Sequence, residues 1–111
     1  MIIEIVSFQH PDGATREELL DGARGTLARW QANPDLVRKH YACSPDRREG
    51  MGIYLWPSVA AAQAGHDAQW IAQAEARTGG PVHIRYLDLL MVLDNEAGAV
   101  LVPPASEDLG P

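Results

Sequence analysis

A chain of 111 residues has room for one domain and one hydrophobic core. Its composition, 46% hydrophobic and 22% charged, is that of an ordinary soluble globular protein, and its net charge of −6 argues against a nucleic-acid surface, which needs clustered Lys and Arg. The single Cys43 excludes an internal disulfide and fits a reducing, cytoplasmic setting, and no run approaches the ~20 apolar residues of a membrane span.

Met1–Phe8 is apolar and β-branched apart from Glu4 and Ser7, the pattern of a well-buried strand, and His10-Pro11-Asp12-Gly13 ends it. Thr15-Arg16-Glu17-Glu18 is a capping box, in which the Thr15 hydroxyl accepts from the Glu18 amide and the Glu18 carboxylate reaches back. It predicts a helix with Leu19, Leu20, Ala23, Leu27 and Trp30 on one side, stopped by Asn33-Pro34.

Leu36–Cys43 and Met51–Trp56 are apolar runs on either side of Ser44-Pro45-Asp46-Arg47-Arg48, the arrangement of a β-hairpin. Its register decides which side chains meet. An even-summed register, with His40 opposite Gly52, puts Arg38 and His40 on one face with Gly52, Tyr54 and Trp56; an odd register separates them, and the loop does not choose between the two. Ser58 then caps an alanine-rich helix expected to run to about Arg77, with Val59, Ala62, His66, Trp70, Gln73 and Ala74 on its inner stripe and Thr78-Gly79-Gly80-Pro81 as its stop. Val82–Leu93 reads as a long last strand. Residues 95–111 form a C-terminal extension: a short apolar piece, Ala99–Val102, followed by a Pro-rich stretch with the composition of disorder.

The order β-α-β-β-α-β predicts an α+β, ferredoxin-like domain over residues 1–94, a four-stranded antiparallel sheet with two helices on one face. The strands are apolar on both faces, so the uncovered face calls for a second copy of the sheet and hence a homodimer.

The strand Glu49-Gly50-Met51-Gly52-Ile53-Tyr54-Leu55-Trp56, leading into an alanine-rich helix with His66 near its middle, resembles the dimeric α/β-barrel superfamily, and within it the small YdhR-like proteins thought of as monooxygenases. The resemblance covers about residues 1–93 and implies a dimer in which each subunit holds a ligand pocket between sheet and helices. The activities it implies are cofactor-independent monooxygenation of aromatic polyketides, cyclisation or isomerisation, with haem-handling members also in the superfamily.

Two readings stand beside each other for most candidate residues. His66 on an apolar helix stripe is either a core histidine or a pocket acid/base, since imidazole exchanges a proton near neutral pH. Arg38 and His40 are either polar groups of an edge strand or, beside the small Gly50 and Gly52, the polar wall of a site for a flat ligand. Tyr54, Trp56, Trp30 and Trp70 are core aromatics that also suit an aromatic substrate, and His10 is a candidate for the pocket mouth. His10, His40, His66 and His83 lack metal-ligand spacing, and Gly79-Gly80-Pro81 ends a helix instead of opening a phosphate loop, so neither metal nor nucleotide is expected.

The resulting expectation is a cofactor-independent monooxygenase of a small aromatic or polyketide-like substrate, with His66 or His40 as base and Tyr54 and Arg38 stabilising the oxyanion. The alternatives are a cyclase or isomerase of the same fold, or a non-catalytic dimer that binds a small molecule.

Overall fold

The computed structural model describes residues 1–109. Strands β1 (Ile2–Gln9), β2 (Arg38–Cys43), β3 (Glu49–Trp56) and β4 (His83–Asp88) form an antiparallel sheet in the order β2-β3-β1-β4, the ferredoxin-like arrangement. The most apolar strand, β1, is central and pairs along its length with β3 and β4. Alternation sorts the side chains. Ile2, Glu4 and Val6 of β1 and Gly50, Gly52, Tyr54 and Trp56 of β3 are buried beneath the helices, while Ile3, Ile5, Met51, Ile53 and Leu55 are half-buried on the open face. The core is built from Ile2, Val6, Trp30, Tyr54, Trp56 and Ala62. Aliphatic side chains such as Ile2 and Val6 contribute about 1.5–3 kcal/mol each by leaving water.

Each expected helix is broken in two. The capping box at Thr15 and Glu18 forms and starts α1 (Arg16–Arg24). At Gly25-Thr26 the chain breaks, and the Thr26 hydroxyl donates to Ala23 O at 2.8 Å and bonds the Tyr41 hydroxyl at 2.7 Å. Helix α2 (Leu27–Gln31) resumes with a changed phase, so Trp30 is buried but Leu27 is 41% exposed. Likewise Ser58 caps α3 (Val59–Gly65), His66 leaves the helical conformation, and the Asp67 carboxylate accepts from Trp70 N at 2.8 Å to start α4 (Ala68–Thr78). Gly65 is required at this break, because a Cβ there would lie 2.6 Å from the Trp56 ring. Gln73, expected inside, is exposed.

The hairpin register is odd, with Lys39 opposite Tyr54 and Tyr41 opposite Gly52. The even pairing assumed a loop of Ser44 to Arg48. Instead Ser44 joins the ladder, its amide donating to Glu49 O at 2.9 Å. Asp46 tightens what remains, accepting from the Ser44 hydroxyl and the Arg48 amide, and Arg47 takes a left-handed φ of 62°. Losing one loop residue turns every side chain of β2 to the opposite face.

The last strand is also shorter than expected. Leu89 N donates to Met1 O at 3.0 Å, just past the last ladder pair of β4, Asp88 with Ile2. The chain turns away into a separate hairpin of β5 (Val92–Asp94) and β6 (Ala99–Leu101), its turn held by Ala97 N on Asp94 Oδ1 and by Gly98 at positive φ. The stretch read as disordered docks over residues 103–109. Ser106 is buried, Pro104 O accepts from the N-terminal amine, and the Asp108 carboxylate accepts from the amides of Val59 and Ala60 at the start of α3. Gly110 and Pro111 lie outside the described residues.

These amides, with the Ser106 hydroxyl, hold the Asp108 carboxyl below its ordinary value of 3.8, the Ser106 bond being the larger cause. A lowered carboxyl stabilises the fold above that ordinary value, and the contribution is lost as pH falls through the lowered one. Asp108→Ala should therefore melt earlier than wild type at pH 7, with the gap closing as pH falls below the carboxyl's ordinary value of 3.8, as read by circular dichroism melts across pH.

Candidate functional site

One rung of the sheet carries the polar groups of the helix-facing side. Lys39 lies opposite Tyr54, Tyr54 opposite Glu4, and Glu4 opposite Tyr86, so a cation, a phenol, a carboxylate and a second phenol cross the sheet from β2 to β4. Glu4 is fully buried between the apolar Ile2 and Val6. A carboxylate there must find partners or lose its charge. Trp56 Nε1 donates to Glu4 Oε1 at 2.9 Å, and His66 Nδ1 lies 2.8 Å from the same oxygen. The His66 contact is close but not aligned as a hydrogen bond, and Glu4 Oε2 and His66 Nε2 have no hydrogen-bond partner among the described residues.

The break between α3 and α4 is what lowers His66 onto Glu4. Its imidazole is fully buried and sits in a box of aromatic rings, with centroids of Trp70 at 4.4 Å, Tyr54 at 4.5 Å, Trp30 at 4.8 Å and Trp56 at 6.3 Å. Burial first, and then the charge of Glu4, push the Tyr54 hydroxyl well above the usual phenol range, so it stays protonated and can donate. Burial and then Glu4 also raise Tyr86.

At the β2 end, Lys39 Nζ lies over three rings, 3.9 Å from the centroid of Tyr41, 4.7 Å from Tyr54 and 4.8 Å from Trp30. Burial, and secondarily Arg29, push its amine down to about 7. A shallow cleft of about 310 Å³ between α2 and α3, lined by Arg29, Trp30, Asn33, Pro34 and Gly65, reaches the outer side of Trp30, whose ring lies against His66.

The expected site residues divide accordingly. His66, Tyr54, Trp30, Trp56 and Trp70 come together around Glu4. Arg38 and His40 do not join them, because the odd register turns both to the open face beside Leu55 and Ile53. The space expected beside Gly50 and Gly52 is filled: a Cβ at Gly50 would lie 2.3 Å from the His10 ring, and one at Gly52 would lie 2.6 Å from Tyr54. His10 lines a different cleft, of about 500 Å³, near the end of β1 with Asp12, Glu49, Thr78 and His83. Sequence reasoning missed Glu4 and Lys39. Glu4 was open to discovery, since it shares the parity of the core residues Ile2 and Val6; Lys39 depended on the register. Among the described residues no group of three or more His, Cys, Asp or Glu is placed to hold a metal ion, and no helix is long and apolar enough to cross a membrane.

No protein-family model and no curated protein matches the sequence. Solved structures do share the fold. A monooxygenase from the ActVA-Orf6 gene of Streptomyces coelicolor, in complex with nanaomycin D, is 22% identical with a TM-score of 0.58 over 78% of this chain and 84% of its own. Rv0793 from Mycobacterium tuberculosis is 18% identical, with a TM-score of 0.59 over 80% and 94%. A MhuD variant with two manganese protoporphyrin IX molecules per active site is 15% identical, with a TM-score of 0.62 over 85% and 99%. The chain thus shares the ferredoxin-like fold of these solved structures.

If Glu4 and His66 hold each other as a buried pair, single replacements should cost far more than the joint one. Glu4→Leu and His66→Leu should each lose about 3–5 kcal/mol in urea unfolding, because each strands a buried polar partner, and the double variant should lose much less than their sum. Strictly additive losses would show that the two side chains do not interact.

Proposed function

We propose that the chain is a cofactor-independent monooxygenase of a small phenolic or polyketide-like substrate, with His66 as its base. The observation that carries this reading is the buried Glu4–His66 pair inside four aromatic rings, with Glu4 Oε2 and both imidazole nitrogens lacking a hydrogen-bond partner among the described residues. Buried polar atoms are ordinarily satisfied, and a pair left open beside a cleft is what a ligand-binding site presents. Glu4 Oε1 lies 2.8 Å from Nδ1, which leaves Nε2 as the nitrogen to take the proton from a phenol or an adjacent CH. The protonated Tyr54 donates to the resulting oxyanion. The electron-rich carbanion is then the reductant for O2: a ring CH2 becomes C=O, one oxygen atom enters the product and the other leaves as water.

The Streptomyces coelicolor neighbour, a monooxygenase holding nanaomycin D, supports this reading through its fold. A porphyrin, as in the MhuD structure, fits these residues poorly. His66 is closed in by rings at 4.4–4.8 Å, and the adjoining cleft of about 310 Å³ stands at the small end of ligand sites, about 300–1,000 Å³.

The working unit in this proposal is a homodimer joined through the open sheet face. Ile3, Ile5, Met51, Ile53 and Leu55 form its apolar centre, and the β5–β6 hairpin also exposes apolar side chains, Leu93, Val100 and Leu101, at 67%, 60% and 58%. In this arrangement Arg38, His40, His83 and Arg85 belong to the interface and not to the pocket. Light scattering behind size exclusion should give twice the chain mass of 12.1 kDa; a monomer at micromolar concentration would remove the dimer.

The activity is tested by O2 uptake with anthrone- and hydroquinone-type substrates. His66→Ala should lower turnover by on the order of 10²-fold, while His40→Ala keeps it within about twofold. Full activity in His66→Ala excludes the mechanism. Product formation without O2 would instead favour a cyclase or isomerase, which uses the same base, and tryptophan quenching without turnover would favour a binding protein.

A further inference from the structure

We propose that Lys39 is the specificity-determining group of this site and that it recognises an acidic group on the substrate, so that the molecule bound is an aromatic carboxylate or phenolate and not a neutral ring. The proposal rests on the pocket assigned to His66 above. Lys39 and His66 touch the same ring: Lys39 Nζ is 4.7 Å from the Tyr54 centroid and the His66 ring is 4.5 Å from it. A ligand that reaches the Tyr54 ring therefore comes within range of both the base and the lysine.

Among the described residues the lysine has no counter-charge of its own. It makes no ion pair among them, and its ammonium is held only by the faces of Trp30, Tyr41 and Tyr54. The charged and titratable groups around it are Arg29 from α2, Tyr41 on its own strand and Tyr54 from β3, with Glu4 and His66 beyond Tyr54. Arg29 also stacks on Trp30, at 5.2 Å, so two cations bracket one indole beside the cleft between α2 and α3. Two like charges sharing a ring without an acidic partner are a standing repulsion that an anionic ligand relieves.

Proton linkage follows from this geometry. With its amine pushed down to about 7, Lys39 is part neutral in the free protein at neutral pH. An anion binds the protonated form, so binding above that pH draws in a proton and weakens as pH rises, by about tenfold between pH 6 and pH 8.

The test is calorimetric titration of the full chain with 2-naphthoate and with its neutral counterpart 2-naphthylmethanol, alongside tryptophan quenching. Wild type should prefer the carboxylate by at least about tenfold at pH 6, the preference should fall toward pH 8, and Lys39→Met should remove it while leaving the neutral probe's affinity within about threefold. Lys39→Arg should keep the preference and lose its pH dependence, since guanidinium does not titrate in this range. Equal affinity for the two probes in wild type, or a preference that survives in Lys39→Met, overturns the assignment of Lys39 while leaving the pocket in place. If neither probe binds or quenches, the pocket and the assignment fall together.

Discussion

The carboxylate of Glu4 is the constraint to which the rest of this small domain answers. It stands in the middle of the central strand, fully buried between Ile2 and Val6, where an ionised group without partners is prohibitively costly. Trp56 supplies one hydrogen from the neighbouring strand. The second partner has to come from the helix layer, and a regular helix from Ser58 to Arg77 would carry position 66 past the carboxylate as part of an unbroken stripe. The break after Gly65 solves this: His66 steps out of the helix, Asp67 caps the next one, and the missing Cβ at position 65 lets the chain lie against Trp56. The aromatic box around His66 is the consequence, because Trp30, Tyr54 and Trp70 close over a polar pair that has to be kept from bulk water.

Much of the fold could be read from local signals because those signals are satisfied locally. The Thr15 capping box, the Ser58 cap and the left-handed Gly79 each act within one turn of chain, and all three form. The order of strands and helices followed from periodicity in the same way. What could not be read depends on contacts far apart in sequence. The hairpin register turned on whether Ser44 pairs with Glu49, which is settled by Asp46 accepting two hydrogen bonds and Arg47 adopting a positive φ. The end of the last strand turned on its register with β1, in which Asp88 is the last residue paired, opposite Ile2. Docking of the tail on α3 depends on Asp108 meeting amides nearly fifty residues away, which composition cannot foresee.

The two faces of the sheet therefore have different characters, and the odd register is responsible. On the helix side it gathers Lys39, Tyr54, Glu4 and Tyr86 into one line. On the open side it leaves Arg38, His40, His83 and Arg85 at the margins of an apolar centre. An apolar centre with a charged rim is the composition of a protein interface, whereas a single polar rung under a layer of aromatics is the composition of a ligand site. One slipped residue in the hairpin would have mixed the two, placing Arg38 and His40 in the aromatic layer and Lys39 on the open face.

The aromatic box leaves little open volume around Nε2, so use of the pair requires one wall to yield. Trp56 and Tyr54 belong to the sheet and are 0% and 3% exposed; Trp56 is also tied to Glu4. Trp70 is carried by the longest helix, capped at both ends by Asp67 and Gly79. Trp30 sits on α2, which has five residues, no side-chain cap at its start and no other buried residue. Local opening is cheapest where few buried contacts and few caps resist it. Trp30 is therefore the wall that gives way at least cost, and it is the one with the cleft on its outer side and the two cations, Arg29 and Lys39, against its ring. In the proposed site, a ligand that draws Lys39 toward itself would also take a cation off the Trp30 ring, coupling recognition of the ligand to access to His66.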